Sequence, residues 1–307
     1  MTELVVLSGK GGTGKTSIVG SLAALSRNKV IVDADVDAAD LHLILPHEIK
    51  VTEDFASGSK ATILEDQCSA CGICQDFCRF DAIKNEIDNN HPAGERYWIN
   101  PYSCEGCGLC AHLCPEKAID FTETVSGQWF YSETPYGPLW HARLGIAQSN
   151  SGKLVSLLRQ KARQQAIDEN KEMILIDGPP GIGCPVISSI TGANYVLIVT
   201  EPSVSARHDM ERLVELAGHF HINVGLCINR FDINEEISKE IENFASEKNI
   251  PVLARIGFSP EITQAQVAGK TVIEYRDCDA AEQIRSLWKN IQDELKSKNM
   301  QLPHQIK

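Results

Sequence analysis

The chain has 307 residues, 43% hydrophobic and 23% charged, which gives it the composition of a folded protein with room for one large domain or two modest ones. That excludes a largely disordered or collagen-like chain. With 29 basic and 41 acidic residues the formal net charge is −12, so there is no global attraction to nucleic acid or anionic lipid.

Met1-Thr2-Glu3 lacks the basic start of an export signal, and the apolar run Leu4–Leu7 is too short for its core. The uncharged stretch Gly178–Thr200 is interrupted by glycines and prolines, which would break a membrane span. The expectation is a soluble, cytoplasmic protein with neither a nucleic-acid nor a membrane partner.

In chain order, Leu4–Leu7 reads as a buried strand, Ser8–Thr16 as a glycine-rich loop, Ser17–Leu25 as a helix and Val30–Val32 as a second buried strand ending at Asp33. Strand, loop, helix and strand in this order open a mostly parallel α/β sheet. From Gly58 to Thr124 the rhythm stops and the chain becomes rich in Cys, Gly and turn residues. Here Cys68, Cys71, Cys74 and Cys78 recur as Cys104, Cys107, Cys110 and Cys114, and Ala82-Ile83 recurs as Ala118-Ile119 at the same offset. Two copies of one unit predict a compact module with pseudo-twofold symmetry.

The α/β pattern then resumes. Gln128–Ser132 and Leu139–Leu144 read as a hairpin, and Lys153–Glu169 reads as a helix. Met173–Ile176, Val196–Val199, Val224–Ile228 and Val252–Ile256 are further short strands. Ile284, Leu287, Trp288, Ile291 and Leu295 share one face of a last helix, and the tail beyond Lys298 is expected to fray. The predicted divisions are 1–57 and 125–307 for an interrupted α/β domain, with 58–124 inserted into it.

Gly9-Lys10-Gly11-Gly12-Thr13-Gly14-Lys15-Thr16 fits the phosphate-loop pattern G-x-x-x-x-G-K-[ST] and lies between a strand and a helix, as the mechanism requires. The glycines let backbone N–H groups surround a phosphate. Lys15 would neutralise the β- and γ-phosphates, and Thr16 would place its hydroxyl on Mg²⁺.

With the additional early lysine, the loop K-G-G-T-G-K-T resembles the deviant Walker A class of P-loop ATPases, which includes MinD, ParA, the Mrp proteins and the nitrogenase iron protein. That resemblance implies a SIMIBI-type fold and a homodimer in the ATP state, with Lys10 reaching the partner's phosphates. It also implies that Asp35, in Asp33-Ala34-Asp35, orients the attacking water. Asp177, in Asp177-Gly178-Pro179-Pro180-Gly181, would hold Mg²⁺ through water, and the Gly181 backbone would sense the γ-phosphate. Asn229 would read adenine, or else simply form a turn. Asp33 and Asp177 could equally cap strand ends.

Each cysteine run has the C-x₂-C-x₂-C-x₃-C spacing of bacterial ferredoxins, in which the fourth Cys serves the other cluster. The assignment is Cys68, Cys71, Cys74 and Cys114 to one [4Fe–4S] cluster, and Cys104, Cys107, Cys110 and Cys78 to a second. Zinc is the competing metal for C-x₂-C pairs, and disulfides do not suit a cytoplasmic ATPase. Cys227 reads as a small buried hydrophobe, while Cys184 and Cys278 have no evident role. The nine histidines form no recognisable metal motif.

Across nearly its whole length the chain resembles MinD-superfamily ATPases with an inserted ferredoxin-like domain. The leading expectation is an ATP hydrolase whose Mg-ATP cycle gates electron transfer to a redox partner. The alternative is an ATP-dependent iron–sulfur cluster or metallocofactor assembly factor with an acceptor protein. A ParA/MinD-type positional switch with structural clusters ranks third.

Overall fold

The computed structural model describes residues 1–145 and 151–299, so the tail expected to fray lies almost wholly outside the described residues. The chain forms two compact units. The first takes Met1–Glu53, Trp129–Arg143 and Ser151–Lys307, and the second takes Asp54–Gln128 and Leu144–Asn150, of which only the described residues are meant below.

The chain opens with β1 (Thr2–Ser8), whose residues from Glu3 onward are all buried, and α1 (Lys15–Leu25) follows. Gly14 caps α1 at φ 86°, a left-handed conformation that glycine adopts without steric cost. Next come β2 (Lys29–Asp33), the single-turn α2 (Leu41–Ile44) and a long strand β3 (Glu48–Ile63), along which the chain passes into the second unit.

That unit contains α3 (Ile73–Asp76), β4 (Ile83–Ile87), β5 (Glu95–Ile99) and α4 (Leu109–Leu113). The second long strand, β6 (Ile119–Thr134), returns the chain to the first unit, and β7 (Gly137–Leu144) follows after Pro135 and Tyr136. The first unit is completed by α5 (Ser151–Asp168), β8 (Met173–Pro180), α6 (Cys184–Ile190), β9 (Tyr195–Thr200), α7 (Val204–His219), β10 (Asn223–Asn229), α8 (Glu235–Glu247), β11 (Val252–Ile256), α9 (Pro260–Val267), α10 (Val272–Tyr275) and α11 (Asp279–Asn299).

The strand order of the main sheet is β11-β10-β9-β1-β8-β2-β7-β6-β3, and the pairs from β11 to β7 are parallel. Strands such as Val196–Val199 and Leu4–Leu7 are apolar at every position because helices cover both faces of a parallel sheet. The main core joins Leu4, Val6, Leu175, Leu197 and Ile256 from the sheet to Ile18 and Leu22 of α1 and to Ile284, Leu287 and Ile291 of α11. Register then sets up the chemistry. Asp33 pairs with Asp177 across β2 and β8, and Asn229 pairs with Ile256 across β10 and β11. The polar side chains therefore gather at the carboxyl ends of the strands, where open α/β sheets bind ligands.

The second unit shows the sequence repeat as structure. Gly72 and Gly108 cap α3 and α4 in left-handed conformations with φ of 77° and 72°. The N–H of Leu64 bonds the carbonyl of Ala118, and that of Asn100 bonds the carbonyl of Ala82, both at 2.8 Å. Strands β4 and β5 pair antiparallel as a separate two-stranded sheet. β3 was not expected at all, and β6 runs well beyond the predicted Gln128–Ser132. The outer residues of β3 are almost all exposed, so they carry no apolar alternation to signal a strand.

Candidate functional site

A cavity of about 390 Å³, a size suited to a cofactor or nucleotide, lies at the carboxyl edge of the sheet in the first unit. The loop residues Gly11 to Ser17 form one wall, and Asp35, Asp40, Asn229, Arg230 and Phe258 contribute to the others. The phosphate loop and the predicted water-orienting carboxylate thus share one space. Gly12 and Gly14 sit at φ 84° and 86°, and a side chain added at Gly14 would collide with the Asn229 amide.

Lys15 is buried, with its Nζ 2.5 Å from Asp177 Oδ1 and 3.8 Å from Asp35 Oδ2. Burial alone would lower its pKa, but Asp177, and then Asp35 and Asp33, leave it above the ordinary lysine value. Asp35 is pushed up to about 6, first by burial and then by Asp177, Asp37 and Asp40, against the opposing pull of Lys15. Asp33 is also raised, by full burial and by the neighbouring charge of Asp177. Its two oxygens accept the N–H groups of Asp35 at 3.2 Å and Leu41 at 3.0 Å. Asp33 therefore braces the segment that carries Asp35.

Thr13 Oγ1, Asp177 Oδ2 and Asn229 Oδ1 are buried without a hydrogen-bond partner. Orphaned buried polar atoms call for an explanation, and two of these, on Thr13 and Asn229, belong to residues that line the cavity, which suits a polar ligand. Thr16 lines the cavity at the start of α1, where its hydroxyl could meet a cation. Asp177 lies behind Lys15 and not on the cavity surface.

Gly9, Gly181, Asn229 and Lys10 make contacts within their own chain. Gly9 does not line the cavity. It packs under Asp209 of α7, with no room for a Cβ. Gly181 is likewise outside, at φ 86°, and its N–H is donated to the Ser8 carbonyl at 3.0 Å, so that bond must break before the N–H can sense a phosphate. Asn229 donates one N–H of its Nδ2 to the Thr13 carbonyl at 2.7 Å, so the amide braces the loop and leaves Oδ1 and the second N–H for a base. Lys10 is turned to its own chain, with Nζ 2.8 Å from Glu201 Oε1. Glu201 and Arg230, which pair at 3.0 Å, escaped the sequence reading because no motif contains them.

In the second unit, Cys68, Cys71, Cys74 and Cys114 line one cavity with Ile63, Tyr97 and Ile119. Cys78, Cys104, Cys107 and Cys110 line another with Phe77, Phe80 and Ile99. The N–H groups of Ala70, Ala82 and Ala118 point at the sulfurs of Cys68, Cys78 and Cys114 at 3.3–3.4 Å. Burial, followed by the neighbouring Cys68, pushes the Cys74 thiol up to about 11. None of the eleven cysteines is joined in a disulfide. Among the described residues, no three His, Cys, Asp or Glu side chains are close enough to hold a single metal ion.

Of the remaining cysteines, Cys227 is fully buried and Cys184 is exposed at the start of α6. Three histidines that suggested nothing in the sequence do converge. The rings of His42, His47 and His141 lie 5.6–5.8 Å apart, centre to centre.

Comparison with known proteins adds the following. The family described as CobQ/CobB/MinD/ParA nucleotide binding domain matches residues 4–272. A Methanocaldococcus jannaschii protein, MJ0578, is 33% identical over 235 residues, covering 76% of this chain and 79% of that one. A putative septum site-determining protein MinD of Chlorella vulgaris is 25% identical, over 86% of this chain and 74% of its own. The crystal structure of the Pyrococcus furiosus cell division ATPase MinD superposes with a TM-score of 0.55 at 17% identity, covering 95% of this chain and 98% of that one.

These findings overturn the expectation of nucleotide-gated electron transfer to a redox partner. The matched family is a nucleotide-binding one, the named relative is a putative septum site-determining protein, and the fold is shared with a cell division ATPase. Among the described residues, no helix is long and apolar enough to cross a membrane.

Proposed function

The chain belongs to the CobQ/CobB/MinD/ParA nucleotide-binding family, and from that premise we propose that it is an ATP-hydrolysing switch of the MinD/ParA kind, a homodimer with ATP and a monomer after hydrolysis. The observation that carries this reading is the cavity walled by Gly11 to Thr16, with Asp35 on its surface, Asp177 behind Lys15, and orphaned polar atoms on the lining residues Thr13 and Asn229. Backbone N–H groups of the loop and Lys15 hold the triphosphate. Thr16, and Asp177 through water, hold Mg²⁺. Asp35 orients the attacking water. Lys10 of a second copy adds positive charge where negative charge develops in the transition state.

The second unit is a ferredoxin-like insert that holds two [4Fe–4S] clusters, one on Cys68, Cys71, Cys74 and Cys114 and the other on Cys104, Cys107, Cys110 and Cys78. Support comes from the donor sets. Each cavity is lined by four cysteines, three from one C-x₂-C-x₂-C-x₃-C run and the fourth from the other, which is the ferredoxin arrangement rather than two pairs for zinc. N–H donors aimed at sulfur suit thiolates better than neutral thiols. The clusters are structural parts of the switch.

The test is anaerobic light scattering with Mg-ATP, Mg-ADP and no nucleotide, alongside phosphate release. The expected result is an ATP-dependent dimer and measurable hydrolysis, both abolished in Lys15→Ala. The same oligomeric state under all three conditions overturns the reading. Movement of iron and sulfide to an apo-acceptor on ATP addition would replace it with cofactor assembly.

A further inference from the structure

We propose that Glu201 is a positioning residue that holds Lys10 within its own chain and sets the threshold at which two copies close over nucleotide. This rests on the dimerising-switch reading and assigns a role to a residue outside every motif.

The geometry is specific. Besides Glu201 Oε1 at 2.8 Å, the Lys10 ammonium meets Ser203 Oγ at 3.1 Å and Ser205 Oγ at 3.4 Å. Three oxygens therefore match the three donors of an ammonium. Ser203 is itself fixed, because it caps α7 by accepting the N–H of Ala206 at 3.3 Å. The other oxygen of Glu201 takes Arg230, a left-handed residue with φ 54° that lines the nucleotide cavity. One carboxylate thus sits between the early lysine of the loop and a cation of the cavity wall. The Glu201 side chain is only 17% exposed and that of Lys10 33%, so water shields the pair less than it would a fully exposed one.

Lys10 cannot serve two anions. If it reaches the phosphates of a second copy, it must leave Glu201, Ser203 and Ser205. Glu201 therefore competes with dimer closure, and nucleotide with the larger negative charge wins that competition most readily. A Glu201→Gln substitution keeps the side-chain shape and an acceptor for Arg230 while removing the competing charge.

The experiment is the dimer dissociation constant at saturating Mg-ATP, from sedimentation equilibrium of the full chain. Glu201→Gln should tighten the dimer about fivefold, the scale of a partly exposed ion pair. The gap from wild type should narrow as salt is raised, which a purely structural role would not produce. Ser205→Ala, which removes a weaker contact of the same ammonium, should shift the constant in the same direction by less. An unchanged or weaker dimer in Glu201→Gln overturns the proposal. If the wild-type chain does not dimerise with ATP at all, the switch reading falls instead, so the two failures are distinguishable.

Discussion

Asp35 has the most to reveal at the scale of single residues. Its carboxyl is raised to about 6 in the folded protein, chiefly by burial. A carboxylate raised in the fold contributes most stability when protonated, below the unfolded value near 4, and loses that contribution as pH rises through about 6. Asp35→Asn should therefore stabilise the nucleotide-free protein by about 2 kcal/mol at pH 7.5 and hardly at all near pH 4. The same substitution should cut hydrolysis by about a hundredfold or more while leaving Mg-ATP binding measurable. Thermal melts at the two pH values check the first part, and phosphate release checks the second. The loop, Asp35 and Asp177 each stand at a fixed place beside a strand, so the sequence singles them out, and the fold puts the loop and Asp35 on one cavity with Asp177 behind Lys15. Glu201 and Arg230 were not legible in the sequence, because their importance comes from the company of Lys10, which only the tertiary fold provides.

At the scale of elements, β7, α2 and the segment before β3 meet through His141, His42 and His47. His141 is buried and pushed down to about 3, first by burial and then by the other two histidines. Its Nε2 lies 2.9 Å from Ser132 Oγ. A histidine depressed in the fold contributes stability above its unfolded value near 6.5 and loses it as pH falls towards the folded value. Lowering the pH from 7.5 to 5 should cost about 2 kcal/mol through this residue, and His141→Gln should flatten that slope. Denaturant midpoints at both pH values measure it. An unchanged slope in the variant would assign the acid sensitivity to other groups.

The short buried strands were predictable because an all-apolar run ending in a polar residue is a strong local signal. The long strands β3 and β6 were not, because much of each is exposed and is stabilised by its neighbours in the sheet rather than by its own pattern.

At the scale of the whole molecule, the break of rhythm near Gly58 and its return after Thr124 suggest an insert, and the second compact unit takes Asp54–Gln128 together with a short later piece. The activity was less legible. Cysteine spacing speaks to what the thiolates hold and not to what the protein does with it, so the same motif suits a carrier, a scaffold or a structural brace. The family match and the similarity to a putative septum site-determining protein count against electron flow. A prediction belongs to this scale. Cys114→Ala, placed in the second run, should deplete the site formed by Cys68, Cys71 and Cys74 and leave the other loaded. Iron and sulfide per chain would then fall by about half, with one EPR species retained. Loss of the species that depends on Cys104 instead would refute the crossed assignment.

That crossing has an evolutionary corollary. Each copy of the repeat lines one cavity with three sulfurs and lends its fourth to the other. Neither half lines a cavity with four sulfurs by itself, so an ancestor with a single copy would have needed a twin to complete the set. The present insert has the organisation of such a pair fused end to end. A lesion at the fourth cysteine of either half therefore falls on the cavity of the other.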